Sequence, residues 1–241
     1  MIEAAGLFFA YARDARALEQ MDFSIPAGVL AVVAGANGSG KSTLLSLLAG
    51  LETPTSGSLR LGDFVLPGQE AEARRLGRLV VQDADLHILG ATLAEDLRLG
   101  REEEDPSTAR AMAERFGLLE HWDSPVQTLS YGMRRKLCLA GALLDGPRLL
   151  LLDEPFAGLD YPGTREMRAI LRDNRSQGLT QVLSTHDLDP VADLADLLLV
   201  LERGRLVLCG PPAEVLPGLR GLGVRPPCSW LAGQGLEYPD A

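Results

Sequence analysis

Long hydrophobic runs are scarce in this sequence of 241 residues. The densest is the four leucines at 149–152, far short of the roughly 18–20 apolar residues that a membrane-spanning helix needs. The first residues, MIEAAGLFFAYARDAR, lack the basic-then-apolar layout of a secretory leader. Nothing here would carry the chain into a bilayer by itself. Cysteine is sparse: Cys138, Cys209 and Cys228 show no paired spacing, which excludes a disulfide framework or a cysteine-based metal site and suits reduced thiols. An excess of positive charge is also missing. The net charge is −10 and the pI about 4.8, so phosphate backbones and anionic lipid would repel the chain as a whole, and nucleic acid is excluded as its main partner. Arg134, Arg135 and Lys136 form only a local basic patch. Lysine is nearly absent, with Lys41 and Lys136 set against 21 arginines. Lys41 therefore stands where a broad guanidinium would not serve and a slim ammonium would.

What is present is an α/β pattern. Residues 7–11 and 23–25 read as strand material ending at the turn Pro26-Ala27-Gly28. Residues 29–34 (VLAVVA) form a continuous apolar run of the kind expected in a strand buried on both faces. A glycine loop follows, and 42–51 has helical spacing with Gly50 near its end. Short strands are predicted at 59–61, 64–66 and 79–81. From Asp83 strand-like runs give way to helical stretches at 92–99 and 106–116. A helix with Ser130 as its N-cap covers 130–144. Strands return at 149–152, 182–184, 197–201 and 205–208, the last two around the turn Arg203-Gly204. The whole chain reads as one domain, 1–241, with a helical subdomain inserted at about 83–145 and a short tail, 211–241.

Two motifs carry chemistry. Gly35-Ala36-Asn37-Gly38-Ser39-Gly40-Lys41-Ser42, followed by Thr43, matches the phosphate-binding pattern G-x-x-x-x-G-K-[ST]. Its glycines let backbone N–H groups converge on phosphate oxygens, Lys41 reaches the terminal phosphates, and the Ser42 hydroxyl suits Mg²⁺. A shuffled chain of this composition would show the pattern roughly 0.2% of the time. The second motif is Asp153-Glu154 at the end of the leucine strand. Ligands of a parallel sheet sit beyond the strand carboxyl ends. There Asp153 suits the Mg²⁺ shell, and Glu154 suits polarisation of the water that attacks a γ-phosphate.

With these motifs in place, the chain resembles the ATP-binding cassette (ABC) family over nearly its whole length. Leu129-Ser130-Tyr131-Gly132-Met133 resembles the family signature LSGGQ and begins 24 residues before Asp153. Gln82 is similar to the Q-loop glutamine, 157–160 (AGLD, ending at Asp160) to the D-loop, His186 to the switch histidine, and Tyr11 to the aromatic residue that stacks on adenine. The resemblance implies a nucleotide-triphosphatase cassette with a RecA-like mixed sheet, an N-terminal antiparallel β subdomain and an inserted α-helical subdomain. It implies ATP and Mg²⁺ as ligands, with Ser42, Gln82 and Asp153 around the metal and Glu154, His186 and Gln82 in catalysis. Two cassettes would pack head to tail, Ser130 and the Gly132 N–H of one gripping the other's γ-phosphate. The signature departs from the pattern at Tyr131 and Met133.

Residues 82–100 (QDADLHILGATLAEDLRLG), the signature helix and the tail Gly223-Val224-Arg225-Pro226-Pro227 are similar to energy-coupling factor (ECF) importer ATPases of the cobalt, nickel and biotin type. That likeness implies an importer motor at the cytoplasmic face of the cell membrane. Its partners would be a second cassette, identical or paralogous, a transmembrane coupling protein and a membrane protein that captures substrate. A motor for another membrane transporter, for lipid or lipoprotein, is the alternative. A soluble cassette protein acting on nucleic acid or ribosomes fits less well: the 47 residues between Gln82 and Ser130 carry no heptads, and there is one phosphate loop. Leu89, Leu93 and Leu97 are spaced as one helical face, which would either pack inside the helical subdomain or, at Ile88 and Leu89 beside Gly90, line a groove for a helix of the coupling protein.

Overall fold

The computed structural model describes residues 1–12, 15–101, 105–236 and 238. The chain divides into two compact units, 1–79 with 148–241, and 80–147.

The first unit contains two sheets. β1 (Ile2–Ala10) pairs antiparallel with β2 (Arg16–Ile25) and with β4 (Ser56–Leu61), which pairs with β5 (Phe64–Leu66). The larger sheet runs β10 (Arg205–Gly210), β9 (Leu197–Glu202), β3 (Leu30–Ala34), β8 (Thr180–Thr185), β7 (Leu149–Asp153) and β6 (Gly77–Val80). Its centre is parallel, β3 beside β8 and β9, and β8 beside β7. Every residue of β3 and β8 is buried, as are the four leucines of β7. The reason is that α1 (Lys41–Leu48) packs on β7 and β8, while α6 (Tyr161–Ser176) packs on β8. Parallel strands covered on both faces are mostly apolar, as β3 and β7 are; β8 also buries Thr180, Gln181, Ser184 and Thr185, and the Gln181 amide donates to the Leu171 carbonyl at 2.9 Å. Each fully buried Leu or Val there contributes about 1.5–3 kcal/mol.

α2 (Glu70–Leu76) and α6 carry no sequence expectation above, and α6 shows why. Its inward positions are Thr164, Met167, Arg168, Leu171 and Asn174, so the helical spacing is present but polar residues occupy three of the five places. Arg168 is wholly buried. Its Nη1 donates to the Pro190 carbonyl at 2.7 Å, and its fork is held by the Asp193 carboxylate at 2.8 and 2.7 Å. A buried cation is tolerated because each charged atom is matched.

The second unit holds α3 (Leu93–Arg98), α4 (Pro106–Arg115) and α5 (Tyr131–Leu144). Each begins at a side-chain cap: Thr92, Asp105 and Ser130 accept from the N–H groups of Glu95, Ser107 and Met133. Leu93 and Leu97 are buried with Ala113, Phe116 and Leu137. Leu89 does not share their face. The helix starts only at Leu93, and the N–H groups of Leu89 and Gly90 donate to the Asp96 carboxylate, turning the chain so that Leu89 stands 76% exposed. Two short helices, α7 (Pro212–Val215) and α8 (Cys228–Leu231), lie in the C-terminal part of the first unit.

Candidate nucleotide site

The glycine loop joins the carboxyl end of β3 to α1. Gly40 has φ 106°, and a Cβ there would stand 2.7 Å from Leu18 Cδ2 and 2.8 Å from the Ala17 carbonyl, so only glycine fits. A Cβ on Gly35 would overlap Ser39 Oγ and the Leu201 carbonyl. The loop is thus drawn tight with backbone in place of side chains. α1 starts without a side-chain cap, since its N-cap is Gly40, leaving first-turn N–H groups for an anion. Ser39 Oγ is buried and has no hydrogen-bond partner among the described residues.

Lys41 is 6% exposed. Its ammonium donates to the carbonyls of Gly35 at 2.9 Å and Ala36 at 3.2 Å and lies 3.4 Å from Glu154 Oε1. The other oxygen of Glu154, Oε2, is 3.0 Å from His186 Nδ1. One carboxylate therefore bridges the phosphate-loop cation and an imidazole that is itself half-exposed. Glu154 takes a left-handed backbone, φ 48°, unusual for a residue with a Cβ. Its N–H donates to Ser184 Oγ at 3.0 Å, and that hydroxyl donates to Asp153 Oδ1. Strand β8 thereby fixes both carboxylates: Ser184 orients Asp153, and His186, just past the strand end, meets Glu154. The Tyr11 hydroxyl and Thr43 Oγ1 are 3.1 Å apart, and the Tyr11 ring, 60% exposed, sits edge-on to Phe9 at 4.8 Å. A pocket of about 270 Å³ opens on the His186 side of Glu154, lined by those two residues with Phe156, Asp187, Asp189 and Tyr238 among others.

A family model described as ABC transporter matches residues 18–157. The chain belongs to the ABC transporter family. The cobalt import ATP-binding protein of Rhodobacter capsulatus is 37% identical, covering 94% of this chain and 85% of that protein. The nickel import ATP-binding protein of the same organism is 39% identical, covering 89% and 90%. Among solved structures, cbiO1 of Clostridium perfringens, part of the ABC transporter complex cbiONQ, has a TM-score of 0.81 at 30% identity, covering 90% of each chain. The fold is accordingly the ABC ATPase cassette, and the chain is an ATP-binding ATPase of that family.

The cassette residues named from the sequence fall in both units. Tyr11, Gly35 to Thr43, Asp153, Glu154, Asp160 and His186 lie in the first; Gln82, Ser130 and Gly132 lie in the second. Asp160 caps α6, its Oδ1 accepting from the Gly163 N–H at 2.9 Å. Ser130 caps α5, its hydroxyl accepting from the Met133 N–H at 3.2 Å. Gln82 is exposed, and its carbonyl accepts from Arg135 at 3.0 Å. Arg135 carried no sequence expectation of its own. A buried arginine within a stretch that reads as basic surface has no sequence signal to distinguish it from its neighbours Arg134 and Lys136.

Gly132 has an unremarked geometry within its own chain. A Cβ placed on it would meet nothing within 4 Å, and its φ is not positive. Glycine in a helix costs about 1 kcal/mol relative to alanine, and no intrachain contact at Gly132 requires it.

Proposed function

We propose that this chain is the ATP-hydrolysing motor of an ECF-type importer for cobalt, nickel or a vitamin, seated at the cytoplasmic face of the membrane. The observation that carries the reading is the Glu154 carboxylate held between Lys41 Nζ and His186 Nδ1 at the end of a buried strand. Phosphates would lie on the N–H groups of the loop 35–42. Lys41 would then exchange its hold on the loop carbonyls for phosphate oxygens, releasing Glu154 Oε1 to accept a proton from the attacking water. His186 keeps Glu154 Oε2 engaged and lies where it can steady the γ-phosphate. Tyr11 offers a ring face for adenine.

The donors that the first unit offers for Mg²⁺ are oxygens, the Ser42 hydroxyl and the Asp153 carboxylate, which are of the kind a hard cation takes. Bound there, the ion would neutralise charge on the phosphates. Asp153 is held for that task by the Ser184 hydroxyl.

A second cassette, identical or paralogous, would complete the site with its Ser130 hydroxyl and Gly132 N–H. The open space over Gly132 supports this, because it leaves room for another chain's phosphate to approach the helix N-terminus. The second unit, as an inserted helical subdomain, would meet the transmembrane coupling protein, with a substrate-capture protein beside it. The likeness to the cobalt and nickel import proteins supports import of a transition-metal ion.

Glu154→Gln tests the reading. It should retain ATP affinity while lowering turnover by about 10²-fold or more, and it should give an ATP-dependent dimer by light scattering. In host cells deleted for the chain, the wild type should restore uptake of labelled Co²⁺, Ni²⁺ or a vitamin, and the variant should not. Unchanged hydrolysis in the variant overturns the catalytic role of Glu154. Uptake of all these substrates that is indifferent to the deletion overturns the importer.

A further inference from the structure

The ladder that holds β8 in its sheet ends at Thr185, opposite Ala34 of β3. His186 is the next residue, and its carbonyl has no strand to pair with. The Thr185 hydroxyl closes the local turn, accepting from the Asp187 N–H at 3.1 Å and donating to the Asp187 carbonyl at 2.9 Å. What takes over from the sheet is a piece of the C-terminal tail. The Arg225 N–H donates to the His186 carbonyl at 3.3 Å, and the Leu188 N–H donates to the Arg225 carbonyl at 3.2 Å. Asp187 and Arg225 form a parallel bridge, so the tail supplies one further rung just where the histidine emerges.

Side chains reinforce that rung. Arg225 Nη1 lies 3.7 Å from Asp187 Oδ2, and the Cys228 N–H donates to Asp189 Oδ1 at 2.7 Å. The Asp189 N–H in turn donates to Asp187 Oδ1 at 3.0 Å. The same segment leans on the phosphate loop. A Cβ on Gly223 would stand 3.1 Å from the Ala36 Cβ, so the tail backbone rests against that side chain. Residues 223–228 thus touch both loops that flank Glu154.

We propose that residues 223–228 act as a positioning strap for His186, with Arg225 as its principal contact. The proposal rests on the role of His186 given above. Arg225 touches no reacting atom; it fixes the main chain of the histidine and the carboxylate that follows. An imidazole 54% exposed on its side-chain surface has few neighbours of its own to orient it, so its backbone anchor decides how often Nδ1 faces Glu154.

A graded series in the full-length chain tests the strap. Arg225→Lys keeps the N–H and the charge, Arg225→Ala keeps only the N–H, and Arg225→Pro removes both. Steady-state Mg-ATP turnover should fall in that order, within about twofold for Lys, about threefold for Ala and about tenfold for Pro, with KM for ATP and thermal midpoint little changed. On a His186→Ala background the Pro substitution should cost nothing further, because a group acting through the histidine cannot add to its loss. Wild-type turnover throughout the series overturns the strap. So does a loss in Arg225→Pro that persists undiminished on the His186→Ala background, or an Arg225→Ala whose KM and thermal midpoint shift together, as a plain structural strut would give. Wild-type turnover in His186→Ala alone overturns the role of the histidine and the strap with it.

Discussion

Arg135 donates from Nη2 to the main-chain carbonyl of Gln82, 3.0 Å away and 53 positions earlier in the sequence. Its Nε donates to the Tyr131 hydroxyl at 3.1 Å, and its guanidinium carbon lies 5.2 Å from the centre of the Tyr131 ring. The signature tyrosine, where the family pattern has glycine, is therefore tied through one buried guanidinium to the main chain at Gln82. Lysine cannot serve both acceptors from one planar fork. Arg135→Lys should lower turnover about fivefold with a modest loss of stability. Amide exchange at residues 82–87 should rise, and unchanged exchange there would show that the link does not hold the loop.

Gly132 gives a test in which stability and activity move apart. Gly132→Ala should stabilise the isolated chain by about 0.5–1 kcal/mol, because helix propensity improves and no neighbour objects. The same methyl would obstruct a phosphate arriving from a second cassette. ATP-dependent dimerisation and turnover should drop by an order of magnitude or more. Thermal melts and light scattering read the two effects separately, and an active, dimerising variant would place the signature away from the nucleotide.

The second unit should be sensitive to acid at one histidine. Burial holds the His87 pKa below its ordinary 6.5, against the opposing pull of Asp96. Its Nε2 accepts from the Val81 N–H at 2.8 Å, which only the neutral ring can do. A depressed histidine pKa means that the unfolded chain binds the proton first. Stability from this bond is intact above the unfolded value and is lost as pH falls from about 6.5 through the lower folded value. His87→Gln keeps an acceptor without titrating. Its thermal midpoint should change less than that of the wild type between pH 7.5 and 5.5.

Leu86 and Leu89, 73% and 76% exposed, are the large apolar side chains that the 82–92 stretch presents. Leu89→Asp should leave the melting profile and nucleotide binding unchanged while weakening copurification with the coupling protein proposed above at least severalfold. Normal assembly of this variant would put the docking surface elsewhere.

Leu89 also marks where the sequence misleads. Its i, i+4, i+8 relation with Leu93 and Leu97 is real, but spacing says nothing about where a helix begins. Thr92 caps α3, and the Asp96 carboxylate gathers the N–H groups of Leu89 and Gly90 in front of it. Strands β3 and β7 were legible because parallel strands covered on both faces leave unbroken apolar runs, as at 149–152, whereas only the ends of β1 and β2 at 7–11 and 23–25 stood out. The glycine loop between β3 and α1 was legible because tight backbone geometry demands glycine at fixed places. Helix α6 was not, because Arg168 and Asn174 occupy inward positions where a periodicity search looks for leucine. Nor was the contact of Arg225 with the loop after β8: it lies 39 positions beyond His186, and no local pattern encodes which loop a tail will cross.

The shortage of lysine gives the molecule a built-in pair of spectroscopic handles. Its two side-chain amines fall one in each compact unit, Lys41 in the first and Lys136 in the second. Lysine labelled with ¹³C at its ε carbon would therefore yield two resonances that need no assignment beyond a single substitution at Lys136. The Lys41 signal, from an ammonium shut in beside Glu154, would report the charge and dryness of the loop, and the Lys136 signal would report the helical unit. Titration with nucleotide would then let the response of each unit be followed in one sample, without a fluorophore or an engineered cysteine.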